Sequence, residues 1–157
     1  MGHIKLTIIT PTTQYHAEDG DLVTVTSKSG SEGFMAGHVP TVVAIVPGPL
    51  RYRLISENET NKEPEWRNFF ASVGYAEVSP TEVMVVVTAA ELVEHIDVER
   101  AQRALERAEK RINNPAATER DLIHGKHAIR RAKARIHVVE LYGHMLQKME
   151  QKKKRRK

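Results

Sequence analysis

The residues of this sequence that are best suited to hold a ligand are arginines placed at helical spacing. They form one series of four and one of two: Arg100, Arg103, Arg107 and Arg111, then Arg131 and Arg135. A guanidinium group donates two parallel hydrogen bonds and so matches the geometry of a phosphate group. Two such series on an antiparallel pair of helices could converge on an anion. The alternative is a solvated face whose arginines pair weakly with nearby glutamates, and spacing alone favours that alternative.

Motifs of the common active sites are missing. The sequence has no Walker glycine loop, no GxGxxG and no nucleophile elbow with a Ser-His-Asp set. The segment Ser29-Gly30-Ser31-Glu32-Gly33 resembles a phosphate loop only in composition, because no Lys-Ser/Thr pair follows it, and we expect a β-turn there. The sequence therefore predicts a protein that is not an enzyme and has no catalytic residues.

Two histidines stand at a spacing that can hold a metal ion. His124 and His127 are three residues apart in a helical segment, but no carboxylate completes an obvious ligand set. Exposed histidines are the favoured interpretation, so no metal site and no required cofactor are predicted. With no cysteine, disulfides and cysteine-bound metal centres are excluded. His38, which follows Gly37, is expected to make a backbone hydrogen bond in a turn.

Much of the positive charge lies at the C-terminus. The chain has 24 Lys and Arg against 20 Asp and Glu, a net charge of +4. Six basic residues end the sequence: Lys152, Lys153, Lys154, Arg155, Arg156 and Lys157. Residues 151–157 are predicted to be a disordered tail that attracts nucleic acid, an acidic protein surface or anionic lipid. No aromatic residue is interleaved with the basic ones, which disfavours binding of single strands by base stacking.

Hydropathy argues against a membrane-spanning protein. No uninterrupted apolar run is longer than that of residues 83–87, which is far short of the roughly 18 residues that a membrane-spanning helix needs. The N-terminus lacks the charged-then-apolar pattern of a secretory signal. We therefore expect a soluble, intracellular chain with no transmembrane segment.

The first part of the chain has the pattern of a β domain. Short apolar or alternating runs are separated by Gly, Pro, Asn and Asp, which favour tight turns. The predicted strands cover residues 4–9, 22–26, 41–46, 50–55, 68–75 and 83–88. The polar residues 56–65 are predicted to form a long hairpin loop. Many short strands with frequent turns indicate an antiparallel β-sandwich over residues 1–90.

The hydrophobic periodicity becomes helical after residue 90. Asp97 is a good N-cap, and Thr118 with Asp121 has the spacing of a capping box. The first apolar seam is Val98, Ala101, Leu105, Ala108 and Ile112, and the second is Leu122, Ile129, Ala132, Ile136, Val139, Gly143 and Leu146. Small residues in both seams predict a closely packed antiparallel hairpin of two helices over residues 91–150. The predicted fold class is therefore α+β, a sandwich followed by a helical hairpin.

Several motifs occur in the same order as in one known family. They are Ile8-Ile9-Thr10-Pro11, Gly30-Ser31-Glu32-Gly33, Gly37-His38-Val39-Pro40, Pro47-Gly48-Pro49-Leu50-Arg51-Tyr52, Gly74-Tyr75-Ala76-Glu77-Val78 and Ile96-Asp97-Val98-Glu99-Arg100-Ala101. On these motifs, and on the change from sandwich to hairpin, residues 4–150 resemble the epsilon subunit of F-type ATP synthases.

This resemblance implies a non-catalytic rotor subunit of the central stalk that couples proton-driven rotation to ATP synthesis. Its sandwich would dock on the gamma subunit and the c-ring, with Glu32 and His38 as partner contacts. The hairpin would inhibit ATP hydrolysis by switching between a folded state and an extended state inserted among the alpha and beta subunits. The implied location is peripheral, at the cytoplasmic face of the bacterial plasma membrane, ahead of the stromal face of the chloroplast thylakoid.

The resemblance also implies that ATP is a regulatory ligand that favours the folded hairpin. The family's contacts map onto Glu91, Ile96, Asp97, Arg100, Ala101, Arg107, Arg131 and Arg135. The preferred interpretation of the arginines thereby changes from a solvated face to an anion site. We expect the basic tip, residues 152–157, to meet an acidic surface of the beta subunits when the hairpin is extended.

Two other functions stay open at this point. A basic-tailed nucleic-acid-binding module would lose affinity steeply with salt and would still bind through isolated residues 91–157. A free-standing helical-hairpin adaptor would dimerise through its helices. The rotor-subunit interpretation predicts instead a mostly monomeric chain that binds the gamma subunit.

Overall fold

The structure is a computed structural model that describes residues 2–55 and 63–154. The chain divides into two compact units, Met1–Leu92 and Val93–Lys157. Most of the loop predicted over residues 56–65 lies outside the described residues, as do residues 155–157 of the predicted tail. No helix in the described ranges is both long enough and apolar enough to span a bilayer.

The first unit holds nine strands among its described residues. They are β1 Ile4–Ile9, β2 Gln14–Ser27, β3 Gly30–Met35, β4 Thr41–Ile45, β5 Gly48–Leu54, β6 Trp66–Ala71, β7 Gly74–Val78, β8 Glu82–Val87 and β9 Ala90–Leu92. Their hydrogen-bonded order is β4-β7-β8-β1-β2-β5-β6-β9, with β3 paired to β2. All pairs are antiparallel except β1 and β8, which run parallel with Leu6 opposite Val83.

Alternation of buried and half-exposed residues builds the sandwich core. In β8, for example, Val83, Val85 and Val87 are buried, while the residues between them are half-exposed. Successive side chains of a strand point to opposite faces, so each strand presents one apolar face to a shared interior. Strands from β1 to β8 contribute to one buried apolar cluster, which includes Tyr52 and Phe69. The predicted class, a β-sandwich followed by two helices, is confirmed.

Two predictions about strands are wrong in detail. The single strand predicted over residues 68–75 is two strands, because the chain turns at Ser72 and Val73 before Gly74. Gly74 leaves room for the backbone of β8, since a Cβ there would overlap the carbonyl oxygen of Val86. The turn predicted around Gly30 is followed at once by a strand, so Glu32 lies in β3 opposite Val25.

The second unit contains two long helices, α1 Val98–Ile112 and α2 Glu119–Lys154. Asp97 caps α1 as predicted, because its Oδ1 accepts a hydrogen bond from the backbone nitrogen of Arg100 at 2.9 Å. The predicted capping box also forms. The Thr118 nitrogen donates to Asp121 Oδ2 at 3.1 Å, and the Asp121 nitrogen donates to Thr118 Oγ1 at 3.2 Å.

The apolar seams are partly different from the predicted ones. Ala101, Ala108 and Ala132 are buried as expected, whereas the seam residues Val98 and Leu122 are exposed. Two buried positions were not in the predicted second seam: Gly125 and Val138. The predicted seam stepped from Leu122 directly to Ile129, and it therefore missed position 125, where the absence of a side chain is what allows contact.

Part of the predicted basic tail is helical. Disorder was expected from residue 151, but α2 continues through Lys154. Lysine has a high intrinsic helix propensity, and its positive charge interacts favourably with the C-terminal end of the helix dipole. Residues 151–154 therefore extend a helix that is already formed.

Candidate functional site

A groove runs between α1 and α2 and contains two of the six arginines that the sequence singled out. It encloses about 440 Å³ and is lined by Ala104, Arg107, Ala108, Arg111, Gly125 and Ala128. Four of these lining residues are alanine or glycine, so the floor is backbone and methyl groups, and two guanidinium groups stand at its side. Such a groove offers space for a ligand together with positive charge.

The register of the hairpin places the two arginine series side by side. A Cβ on Gly125 would meet Ile112 and would lie 3.6 Å from the carbonyl oxygen of Ala108, so Gly125 is level with the end of α1. Each residue of a helix rises about 1.5 Å, so residues equally far from this contact are level with each other. Ala101 lies before Ile112 in α1, and Arg135 lies after Gly125 in α2. These two separations in sequence are the same to within one residue. The start of α1 is therefore level with the turn of α2 that carries Arg135.

Three predicted ligand residues lie at the entry to α1. The carboxylate of Asp97 is committed to capping the helix, and its backbone oxygen accepts from the nitrogen of Ala101 at 3.0 Å. Ile96 is half-buried, and its nitrogen donates to the carbonyl oxygen of Val93 at 3.2 Å. Arg100, in the first turn of α1, is exposed.

The remaining predicted ATP contacts divide between the two units. Arg107 lines the groove, and Arg131 and Arg135 are half-buried on α2. Glu91 lies in the sheet unit, on β9 opposite Phe70 of β6. The structure therefore brings seven of the eight predicted residues into the helical unit, whereas Glu91 belongs to the sheet.

Arg111 is a groove residue that belongs to the arginine series singled out in the sequence but not to the ATP contacts implied by the resemblance. Its Nε lies 3.5 Å from Asp121 Oδ1. The pKa of Asp121 is lowered, first by its hydrogen bonds from Thr118 and then by the charge of Arg111. Helical spacing in the sequence had already placed Arg111 in one series with Arg100, Arg103 and Arg107.

The two predicted partner contacts lie near each other in sequence on the sheet unit. Glu32 is half-buried in β3. His38 makes the expected backbone hydrogen bond: its Nδ1 donates to the carbonyl oxygen of Val39 at 2.8 Å. The imidazole packs edge-on against Phe34, with 5.1 Å between the ring centroids. Exposed apolar side chains follow it, since Val39 is 71% and Val42 70% exposed.

The basic tip is described only in part. Lys154 is exposed at the end of α2, whereas the side chains of Lys152 and Lys153 and all of residues 155–157 lie outside the described residues. Within the described part of the chain, no group of three His, Cys, Asp or Glu residues is placed to hold a metal ion. His124 and His127 are both exposed on α2.

Both units match known families. Residues 3–93 match the beta-sandwich domain of the ATP synthase delta/epsilon chain, and residues 94–140 match the long alpha-helix domain of the same chain. A sheet unit followed by a helical hairpin is thus the two-domain organisation of one class of ATP synthase subunit. The chain belongs to the ATP synthase epsilon chain family.

Individual relatives agree with this assignment. The chain is 35% identical over 142 residues to the ATP synthase epsilon chain of Macrococcus caseolyticus, covering 89% of this chain and 98% of the relative. It is 33% identical over 138 residues to that of Bacillus pumilus, covering 88% and 98%. Among solved structures, a chain of the Euglena gracilis mitochondrial ATP synthase (OSCP/F1/c-ring) matches with a TM-score of 0.68 and 26% identity, covering 85% of this chain and 79% of that one.

Proposed function

We propose that this chain is a non-catalytic rotor subunit of the central stalk of an F-type ATP synthase, where it couples proton-driven rotation to ATP synthesis. One observation carries the proposal: the sheet unit and the hairpin each match the corresponding domain of the delta/epsilon chain, in the same order and over residues 3–140. Relatives named ATP synthase epsilon chain align over nearly their whole length, which supports the same role here.

The sheet unit is the docking part in this proposal. It binds the gamma subunit and the c-ring, with Glu32 and His38 at the contact. Support comes from the exposed apolar side chains of Val39 and Val42 beside His38, because a surface of this kind favours association with another protein. The chain then sits peripherally, at the cytoplasmic face of the bacterial plasma membrane.

The hairpin is the regulatory part. It inhibits ATP hydrolysis by changing from the closed hairpin to an extended form that enters the catalytic head among the alpha and beta subunits. Small buried residues such as Ala101, Ala108 and Ala132 support a switch, because a seam with little apolar area stabilises the closed form only modestly. Two packings that differ by only a few kcal/mol can be interconverted by partners. In the extended form the basic tip, residues 152–157, meets an acidic surface of the beta subunits.

ATP is the proposed regulatory ligand of the closed hairpin. The groove offers Arg107 from α1, and the half-buried Arg131 and Arg135 follow along α2, so cationic groups come from both helices. An anion held by both helices binds only when they are side by side. Its differential affinity then shifts the population to the closed, permissive state.

Assembly tests the stalk role directly. The purified chain is mixed with the gamma subunit and c-ring of the same enzyme, and binding is followed by size-exclusion chromatography. We expect the chain to co-elute with gamma, and Val42→Asp to weaken that association. Val73→Asp is the matched control, because Val73 is an exposed apolar residue of the turn between β6 and β7. Failure of the unaltered chain to bind gamma would contradict the stalk role.

Calorimetry tests the nucleotide site. Replacing both Arg131 and Arg135 by Ala is expected to abolish ATP binding to the full chain. Arg130→Ala is the matched control, since Arg130 is an exposed arginine of the same helix that lies outside the proposed site. Equal ATP affinity in the double variant and the control would remove this arginine pair from the site.

A further inference from the structure

Gly125 lies in close contact with α1. Glycine disfavours a helix interior by about 1 kcal/mol relative to alanine, about a fivefold effect on the helix equilibrium. Yet Gly125 is buried within α2, where it faces the last residue of α1. A Cβ at this position would overlap Cγ2 of Ile112 and would lie 3.8 Å from Cβ of the same residue. The branched side chain of Ile112 thus occupies the space that any other residue at position 125 would need.

Ile112 has little freedom to move away. In a helix a β-branched side chain has one strongly preferred χ1 rotamer, so its Cγ2 methyl cannot swing aside without strain. The backbone of this last turn is also held, because the nitrogen of the C-cap residue Asn113 donates to the carbonyl oxygen of Glu109 at 3.1 Å. A side chain at position 125 would therefore push the helices apart rather than displace the isoleucine alone.

We propose that the contact between Ile112 and Gly125, here called the notch contact, sets the balance between the closed and the open hairpin. The contact exists only while α1 and α2 are side by side, whereas the low helix propensity of Gly125 acts on α2 in both states. Adding a methyl group at position 125 therefore strengthens the helix in both states and obstructs only the closed one. The inference rests on the proposed switch. It identifies the residue pair that determines the equilibrium between the closed and the open hairpin.

A second glycine of the same helix provides the matched control. At Gly143 the nearest atom to an added Cβ is Cγ1 of Val139, one turn earlier in α2, at 3.2 Å. No atom of α1 is among its neighbours, so Gly143→Ala strengthens the helix without obstructing the hairpin. Gly125→Ala and Gly143→Ala are the same chemical change, and only the first is expected to open the hairpin.

A compensating substitution separates the notch contact from a general loss of packing. Ile112→Leu keeps an aliphatic side chain of the same size but removes the branch at Cβ, and with it the Cγ2 methyl that an alanine at position 125 would meet. The double variant Ile112→Leu with Gly125→Ala is therefore expected to close better than Gly125→Ala alone. This non-additivity is the signature of a direct contact between two residues.

The closed fraction can be measured in the full chain by distances between spin labels. The sequence has no native cysteine, so cysteines placed at the exposed positions Glu106 and Arg130 carry the only labels. We expect Gly125→Ala to lower the ratio of closed to open hairpin by about 5- to 150-fold, the range that corresponds to 1–3 kcal/mol of overpacking. Gly143→Ala should leave the ratio unchanged, and the double variant should recover most of the loss. Hydrogen exchange of the α1 amides is measured in the same three variants, because it detects opening that is too rare to change the label distances.

The outcomes are distinguishable. Unchanged label distances together with unchanged α1 exchange in Gly125→Ala would overturn the notch contact, and so would an equal opening by Gly143→Ala. If Gly125→Ala opens the hairpin but leaves inhibition of ATP hydrolysis by the assembled enzyme unaltered, the notch contact stands and the proposed inhibitory switch fails.

Discussion

Among single residues, Ser72 is unusual because its hydroxyl is fully buried and finds no hydrogen-bond partner among the described residues. A buried polar group without a partner costs about 1–3 kcal/mol of desolvation. We expect Ser72→Ala to leave the free energy of unfolding unchanged or to raise it by about 1 kcal/mol, measured by urea denaturation.

A neighbouring serine supplies the control for this substitution. The Ser79 hydroxyl donates to the carbonyl oxygen of Glu82 and accepts from its nitrogen, both at 3.1 Å. Ser79→Ala is therefore expected to lower the free energy of unfolding by about 1 kcal/mol. If Ser72→Ala destabilises the chain as much as Ser79→Ala does, the Ser72 hydroxyl has a partner after all.

Tyr52 links the centre of the sandwich to its first strand. It is fully buried, and its hydroxyl donates to the carbonyl oxygen of Ile4 at 2.9 Å. Gly20 makes room for its ring, because a Cβ there would overlap the ring carbons. Burial raises the pKa of Tyr52 from 10.0 to about 12. The folded state therefore favours the neutral phenol.

This pKa predicts a pH dependence of stability. The folded pKa is raised, so the contribution of Tyr52 is fully present below pH 10.0 and is lost as the pH rises toward about 12. Tyr52→Phe is expected to lower the free energy of unfolding by about 1 kcal/mol at pH 7. The gap between the two proteins should narrow at pH 11, and an equal gap at both pH values would show that folding does not raise the pKa of Tyr52.

At the scale of elements, the start of α2 depends on the ionised carboxylate of Asp121. Two hydrogen bonds from Thr118 and the charge of Arg111 lower the pKa of Asp121 below its ordinary value of 3.8. Because the folded pKa is depressed, the stabilisation is present above pH 3.8 and is lost as the pH falls through the folded value.

The corresponding experiment compares Asp121→Asn with the unaltered chain. Thermal unfolding of the helices is followed by circular dichroism. We expect the midpoint temperature to be lower in the variant at pH 7 and equal in the two proteins at pH 2. Glu119→Gln is the control, because it removes one negative charge from the same first turn without touching the capping box. A difference that persists unchanged at pH 2 would rule out titration of Asp121 as its cause.

Elements that depend on local chemistry were predictable from the sequence. The caps of both helices and the extent of β1 follow from side chains within a few residues of each other. The parallel pairing of β1 with β8 joins residues far apart in sequence, and alternation alone does not determine which strands pair. The split between β6 and β7 depends on how closely Gly74 approaches another strand, which is also a tertiary contact.

The candidate site shows the same limit. Helical spacing placed Arg107 and Arg111 in one series along α1, and both line the groove. The position of Gly125 at the contact could not be predicted, because it depends on how closely Ile112 of α1 approaches, which the periodicity of α2 alone does not determine. Glu91 belongs to the sheet unit because it lies on β9. This strand has only three residues, too few for its pattern to be recognised in the sequence.

At the scale of the whole molecule, the sheet unit closes its own core. The buried apolar cluster draws all of its residues from the unit that ends at Leu92, and Leu92 itself packs against it. We expect a chain that ends at Leu92 to fold cooperatively, as shown by a single urea transition and dispersed amide resonances. A chain that ends at Ala89, which lacks β9, should be clearly less stable. Absence of cooperative unfolding in the longer version would contradict an independent core.

The same truncation tests the central claim, that the chain is a stalk subunit whose hairpin restrains hydrolysis. ATP hydrolysis is measured for a catalytic head reconstituted with gamma and either the full chain or the chain that ends at Leu92, with binding to gamma verified in each sample. The account predicts faster hydrolysis with the truncated chain while gamma remains bound. Equal hydrolysis rates with both chains bound to gamma would contradict it.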